Sequence, residues 1–205
     1  MGEEEEDNIK VTLLGSSGVG KTCIIKRYTE NAFDPLNQAT LVSSFSQKEV
    51  DIDGKLVPIN IWDTAGQEQY RSLGRLFYKD SRIVILVYDI TSKGSFLDIK
   101  NLWYNDLTTY GEKYTVTALV GNKSDCYEKE EVEEKEAREY AKEIKAHFFL
   151  VSAKTGDNID LLFTNLVKEY LGPEFAAKMK EINDEKGKSE KLNNTVKKQK
   201  KGGCC

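Results

Sequence analysis

The octapeptide Gly15-Ser16-Ser17-Gly18-Val19-Gly20-Lys21-Thr22 restricts this chain more than any other feature. It has the spacing GxxxxGK[ST]. It follows an apolar-rich run, Ile9 to Leu14, and leads into a segment, Thr22 to Tyr28, that reads as helix. A strand that passes through a glycine turn directly into a helix makes an anion nest. The glycines let the backbone curl until its N–H groups point inward, and the helix N-terminus adds partial positive charge. The nest expected here runs through Ser17, Gly18, Val19, Gly20, Lys21, Thr22 and Cys23. Lys21 is placed to reach the β- and γ-phosphates of a nucleotide, and the Thr22 hydroxyl to ligate Mg²⁺.

Strand-like and helical runs alternate around this loop. Phe45 to Ile52 and Leu56 to Trp62 read as strands joined at Asp53-Gly54, a pair with a strong hairpin bias. Ile83 to Tyr88, Thr115 to Val120 and Phe148 to Val151 read as strands buried on both faces. Ala137, Tyr140, Ala141 and Ile144 share one face of a charged segment. Ile159, Leu162, Phe163, Leu166, Val167 and Tyr170 do the same in the last one. The pattern predicts an α/β fold: an open, mostly parallel six-stranded sheet with one antiparallel edge strand and helices on both faces. Ligands of such sheets bind at the carboxyl ends of the strands. Past Gly172-Pro173 the apolar periodicity fades. The expected organisation is an acidic extension over residues 1–8, one domain over 9–172 and a lysine-rich tail over 173–205.

The net charge of -4 conceals an asymmetry between Glu3 to Asp7 and the lysines at 186, 188, 191, 197, 198, 200 and 201. No secretory signal is recognisable, and no apolar stretch approaches the roughly 20 residues that span a bilayer. Glu6 stands where a myristoylation motif wants Ser or Thr. Cys23, Cys126, Cys204 and Cys205 do not space like a disulfide framework, and a single His gives no metal-ligand cluster. The chain reads as intracellular and reduced.

A second element supports the phosphate reading. Asp63-Thr64-Ala65-Gly66 directly follows a strand. Asp63 is placed to hold the magnesium shell, and Gly66 to offer its N–H to a γ-phosphate. By itself Asp63 would pass for a turn former. The base is addressed by Asn122-Lys123-Ser124-Asp125, after the next strand but one. Guanine presents an N1–H and an exocyclic amine on one edge, and one carboxylate, Asp125, accepts both, while the stem of Lys123 covers the ring. Adenine would leave that carboxylate buried and unpaired, a mismatch on the order of 10⁴-fold in selectivity. Ser152-Ala153-Lys154, after the following strand, adds a backbone N–H for guanine O6. The ligand expected is GTP or GDP.

With these motifs the chain resembles the Ras-superfamily small GTPases, and among them the Rab family, over roughly Lys10 to Tyr170. Trp62-Asp63-Thr64-Ala65-Gly66-Gln67-Glu68 carries the resemblance, together with Thr40-Leu41-Val42-Ser43-Ser44-Phe45 and Leu86-Val87-Tyr88-Asp89-Ile90-Thr91. The middle stretch is most similar to the early-endosomal subgroup. The resemblance implies that Thr40 contacts Mg²⁺ and the γ-phosphate, that Phe33 packs against the guanine nucleoside, and that Gln67 orients the attacking water. It implies an effector-facing aromatic triad of Phe45, Trp62 and Phe77. Gln69 departs from the usual arginine, and Val42 from a common glycine. Ser17 stands where Ras proteins need glycine and Rabs tolerate a side chain.

Such a site works by positioning and by electrostatic stabilisation of a loose phosphoryl-transfer state. No arginine in the matched motifs is placed as a finger in cis. Slow intrinsic turnover is expected, accelerated about 10³–10⁵-fold by an activating protein. The terminal Cys204-Cys205 is similar to the Rab prenylation motif that carries two geranylgeranyl groups. Two lipid chains, or one chain with a polybasic segment, anchor stably. The expectation is a monomeric switch on the cytoplasmic face of endosomal or other vesicle membranes, cycling with the cytosol. Its implied partners are an exchange factor, an activating protein, a GDP-dissociation inhibitor and effectors, and not nucleic acid. Two rivals stand beside it: a guanine-nucleotide-dependent scaffold that does not hydrolyse, and a P-loop nucleotide kinase. The kinase would leave Asn122 to Asp125 unexplained, and Gln67 argues against the scaffold.

Overall fold

The computed structural model describes residues 8–35, 44–64, 79–111 and 115–172. Among them six strands form one sheet in the order β2-β3-β1-β4-β5-β6. The strands are β1 (Ile9–Leu14), β2 (Ser44–Ile52), β3 (Lys55–Asp63), β4 (Ile83–Asp89), β5 (Val116–Asn122) and β6 (His147–Leu150). All neighbouring pairs are parallel except β2 and β3. That exception is the expected hairpin, turned by Asp53 and Gly54, both with positive φ (54° and 88°). All seven residues of β4 are buried, which is why the sequence is an unbroken apolar run from Ile83 to Tyr88, before Asp89. β2, at the edge, alternates and stays largely exposed.

Successive side chains of a strand point to opposite faces, so the sheet carries two cores. Val11, Leu13, Ile83, Ile85 and Val87 pack on one side with helix α1 (Lys21–Glu30) and a last helix, α5, described over residues 159–172. Tyr28 of α1 and Phe163 of α5 stack there, 3.8 Å between ring centroids and 10° between planes. Such a pair contributes about 0.5–1.5 kcal/mol beyond its area. Leu14, Val84, Leu86 and Tyr88 pack on the other side with α4 (Glu134–Glu143) and with a helix not expected above. That helix is α2 (Lys93–Asp98), a π turn (Ile99–Trp103) and α3 (Tyr104–Tyr110) in succession. Its buried residues Phe96, Ile99, Trp103 and Leu107 are spaced three, four and four apart and share one face, so the apolar period of a helix is present in the sequence here although the π turn widens the helix midway.

β5 extends past the apolar run because Gly121 and Asn122 keep pairing with Tyr88 and Asp89. The parallel register brings the carboxyl ends of β1, β3, β4, β5 and β6 to one edge of the sheet. Among the described residues no helix is long and apolar enough to cross a membrane.

Candidate functional site

The glycine loop leaves β1 and enters α1 at Gly20, whose carbonyl accepts the Ile24 N–H at 2.9 Å. Lys21 is buried at 5% exposure. Its Nζ donates to Gly15 O at 2.6 Å and to Ser16 O at 3.1 Å, closing the loop on itself. An ammonium carries a third N–H for an incoming anion. Burial lowers the Lys21 pKa to about 8, against the pull of Asp63.

Asp63 ends β3 beside this loop, with only 2% of its surface exposed. Thr22 Oγ1 donates to Asp63 Oδ2 at 2.6 Å, while Asp63 Oδ1 is buried with no hydrogen-bond partner among the described residues. Burial pushes the carboxyl up, and the Thr22 bond with the charges of Lys21 and Lys26 opposes it. A buried carboxylate oxygen without a donor is costly unless a cation or proton meets it.

Asn122, at the end of β5, joins two loops. Its Nδ2 donates to Val19 O at 2.8 Å, and its Oδ1 accepts from Ala153 N at 3.1 Å. Lys123 sits in the left-handed region (φ 67°) and its Nζ meets Asp89 Oδ2 at 2.6 Å. Asp125 accepts from Ser152 Oγ at 2.7 Å and from Cys126 Sγ at 3.5 Å, with Lys154 Nζ 3.5 Å away. Burial works against its ionisation. The Ser152 and Cys126 bonds and the Lys154 charge outweigh that and hold the carboxyl below its usual range. Arg27 of α1 locks the 152–154 loop from outside, donating to Ala153 O at 2.9 Å and Lys154 O at 2.8 Å.

These loops enclose a cavity of about 420 Å³, a size typical of small-molecule sites. Of the residues expected to bind ligand, Ser17, Gly18, Gly20, Lys21, Thr22 and Cys23 line it from the glycine loop and α1. Phe33, Asn122, Lys123, Asp125, Ala153 and Lys154 line the rest. Val19 and Ser152 lie fully buried behind the wall. Thr40, Gly66, Gln67, Phe77, Cys204 and Cys205 lie outside the described residues. On β2 and β3, Phe45 is half exposed and meets Trp62 edge-on at 5.4 Å.

A family model described as the Ras family matches residues 10–172. Rab-30 of Homo sapiens is 39% identical over 167 residues, covering 81% of this chain and 82% of the relative. Rab-21 of Geodia cydonium is 44% identical over 163 residues, covering 79% and 70% respectively. Rab-22A of Homo sapiens is 42% identical over 158 residues, covering 77% and 81%. The chain belongs to the Rab branch of the Ras family. As a Rab-type small GTPase it binds GTP and GDP, hydrolyses GTP to GDP, and acts in vesicle traffic in association with membranes, through regulators and effectors.

Within this Rab-type site the structure adds residues that the motifs did not reveal. Asp34, Pro35 and Cys126 line the cavity, and so does Thr64, which stands in the 63–66 motif without an expected role. The first three stand beside a motif or a matched residue, so extending the motifs by two residues would have found them. Arg27 had no local signal, because it acts on a loop distant in sequence, and Asp89, although it stands in the matched 86–91 stretch, has no expected role there.

Proposed function

We propose that the cavity holds a guanine nucleotide with its phosphates in the 15–22 nest and its base between Phe33 and Lys123, edge-on to Asp125. The observation that carries this is the pair of hydrogen bonds made by Asn122, which ties the nest at Val19 to the base loop at Ala153. Phosphate and base recognition are thereby one rigid unit. Ser17 to Cys23 supply the cradle, and loop 152–154 supplies an N–H to guanine O6. Because Ala153 N already donates to Asn122 Oδ1, that contact falls to the N–H of Lys154.

Thr22 and Asp63 fit a hard divalent cation. Both offer oxygen, the Mg²⁺ preference, and Asp63 Oδ1 has no hydrogen-bond partner among the described residues. Thr22 and Asp63, with Thr40, would hold Mg²⁺, which when bound neutralises charge on the β- and γ-phosphates. Lys21 reaches the same phosphates, and Gln67 orients the attacking water. Thr40 and Gly66 hold the γ-phosphate and let go when it leaves, so hydrolysis ends one conformational state.

Residues 9–172 act as the switch domain, and 1–8 and 173–205 as its extensions. Geranylgeranyl groups on Cys204 and Cys205, with the tail lysines, would place the switch on the cytoplasmic face of endosomal or other vesicle membranes. An exchange factor, an activating protein and a GDP-dissociation inhibitor would move it through its cycle, with effectors meeting Phe45, Trp62 and Phe77. Single-turnover GTP hydrolysis tests the chemistry: slow turnover by the wild type, and at least tenfold less by Gln67→Leu, a loss of about 1.4 kcal/mol in transition-state stabilisation. Equal rates in the two proteins would remove Gln67 from its role.

A further inference from the structure

We propose that Asp98 and Trp103 are positioning residues for the phosphate nest, brought together on Ser16 by the π turn between them. The proposal rests on reading residues 15–22 as that nest. Ser16 Oγ donates to Asp98 Oδ2 at 2.6 Å and lies 3.4 Å from Trp103 Nε1, which donates to it. On its other side the Ser16 carbonyl accepts from Lys21 Nζ at 3.1 Å. One loop residue is therefore gripped through its side chain by a helix and through its main chain by the phosphate-binding lysine.

The π turn explains how one helix presents both groups. In a regular α-helix, residues five apart point roughly 140° away from each other. A turn closed by i→i+5 hydrogen bonds brings residues five apart into near register. Asp98 and Trp103 are five apart, and the π turn is Ile99–Trp103. Trp103 is 5% exposed and packs in the core with Phe96 and Ile99. Its indole is thus a fixed post, while the carboxylate of Asp98 makes the short, charge-assisted bond.

The consequence is preorganisation. A loop with glycine at positions 15, 18 and 20 has many conformations to lose when it closes on a phosphate. Holding Ser16 in place before the ligand arrives removes part of that loss. The β-phosphate gains from it, and the base and ribose do not.

The test uses full-length protein stripped of nucleotide: wild type, Ser16→Ala, Asp98→Ala, Asp98→Asn, Trp103→Phe and the Ser16→Ala/Asp98→Ala double variant. Release of a fluorescent GDP and competition by GDP and by GMP are measured, with urea midpoints to confirm folding. Ser16→Ala and Asp98→Ala should each speed GDP release about tenfold, the scale of one charge-assisted bond. The double variant should be no faster than either. Asp98→Asn keeps an acceptor but loses the charge and should give about three- to fivefold. Trp103→Phe, which removes the indole N–H and also leaves a cavity in the core, should give at least about threefold together with a lowered urea midpoint. GMP affinity should not change. Unchanged GDP release in folded Ser16→Ala, an additive double variant, or equal losses for GMP and GDP would each overturn the proposal. Failure of the wild type to bind GDP would overturn the nest reading along with it.

Discussion

Replacing Gly20 by alanine separates two costs that the structure assigns to one position. Gly20 has φ 95° and ψ 27° at the start of α1. A side chain there meets the left-handed penalty of about 1–2 kcal/mol. Its Cβ would also lie 2.3 Å from Asn122 Nδ2, and Asn122, 1% exposed, has no room to retreat. Displacing it breaks the bonds to Val19 O and from Ala153 N. Each leaves a buried polar group unpaired at about 1–3 kcal/mol. The sum is roughly 3–8 kcal/mol, a large share of the 5–15 kcal/mol that holds a typical domain together. Gly18 provides the control. It has φ +81°, but nothing among the described residues lies within 4 Å of an added Cβ, so Gly18→Ala should carry only the left-handed term. Urea unfolding of nucleotide-stripped protein reads the difference, and Gly20→Ala should lose at least about 2 kcal/mol more than Gly18→Ala. If the two variants unfold within about 0.5 kcal/mol of each other, Asn122 is not the tie between the loops that the geometry indicates.

Two further outcomes follow from the base end of the cavity. Asp89→Asn removes the charge that anchors Lys123 but keeps acceptors for Thr91, so GDP release should rise about three- to tenfold. Combined with Lys123→Met it should add nothing, and an additive effect in stopped-flow release would contradict the pairing. The Asp125 carboxyl titrates below its usual value in the fold. Its ionised contribution is therefore complete above the unfolded carboxylate pKa and is lost as pH falls through the lower, folded one. Ser152→Ala removes the 2.7 Å bond that helps hold it there. The acid limb of GDP affinity should then move to higher pH, and superimposed limbs for the two proteins would refute the cause.

The parts of this molecule that were legible in the sequence are those carried by contiguous residues. β4 could be read because a strand buried on both faces needs an unbroken apolar run, and the hairpin because Asp53 and Gly54 both take positive φ. The nest, Asn122 and Asp125 were legible for the same reason: each stands in a short motif whose spacing is set by the ligand. Arg27, Asp89, Asp98 and Trp103 were not. Arg27 acts on a loop 126 residues away, and Ser16 meets Asp98 across 82 residues, so only the packing of α1 and α2 on the sheet makes these contacts. The α2–α3 helix was legible in principle, since Phe96, Ile99, Trp103 and Leu107 keep the three-and-four spacing of a helix face, but Gly94 as the second residue of its first turn speaks against a helix locally.

The claim that one cavity reads both phosphate and guanine meets its most direct test in competition binding to the stripped wild-type protein. GDP and ADP share every phosphate contact and differ only at the base. GDP should bind tighter by on the order of 10⁴-fold, because ADP leaves the Asp125 carboxylate without its donors. Affinities for GDP and ADP within about tenfold of each other would mean that Asp125 and the 152–154 loop do not read the base.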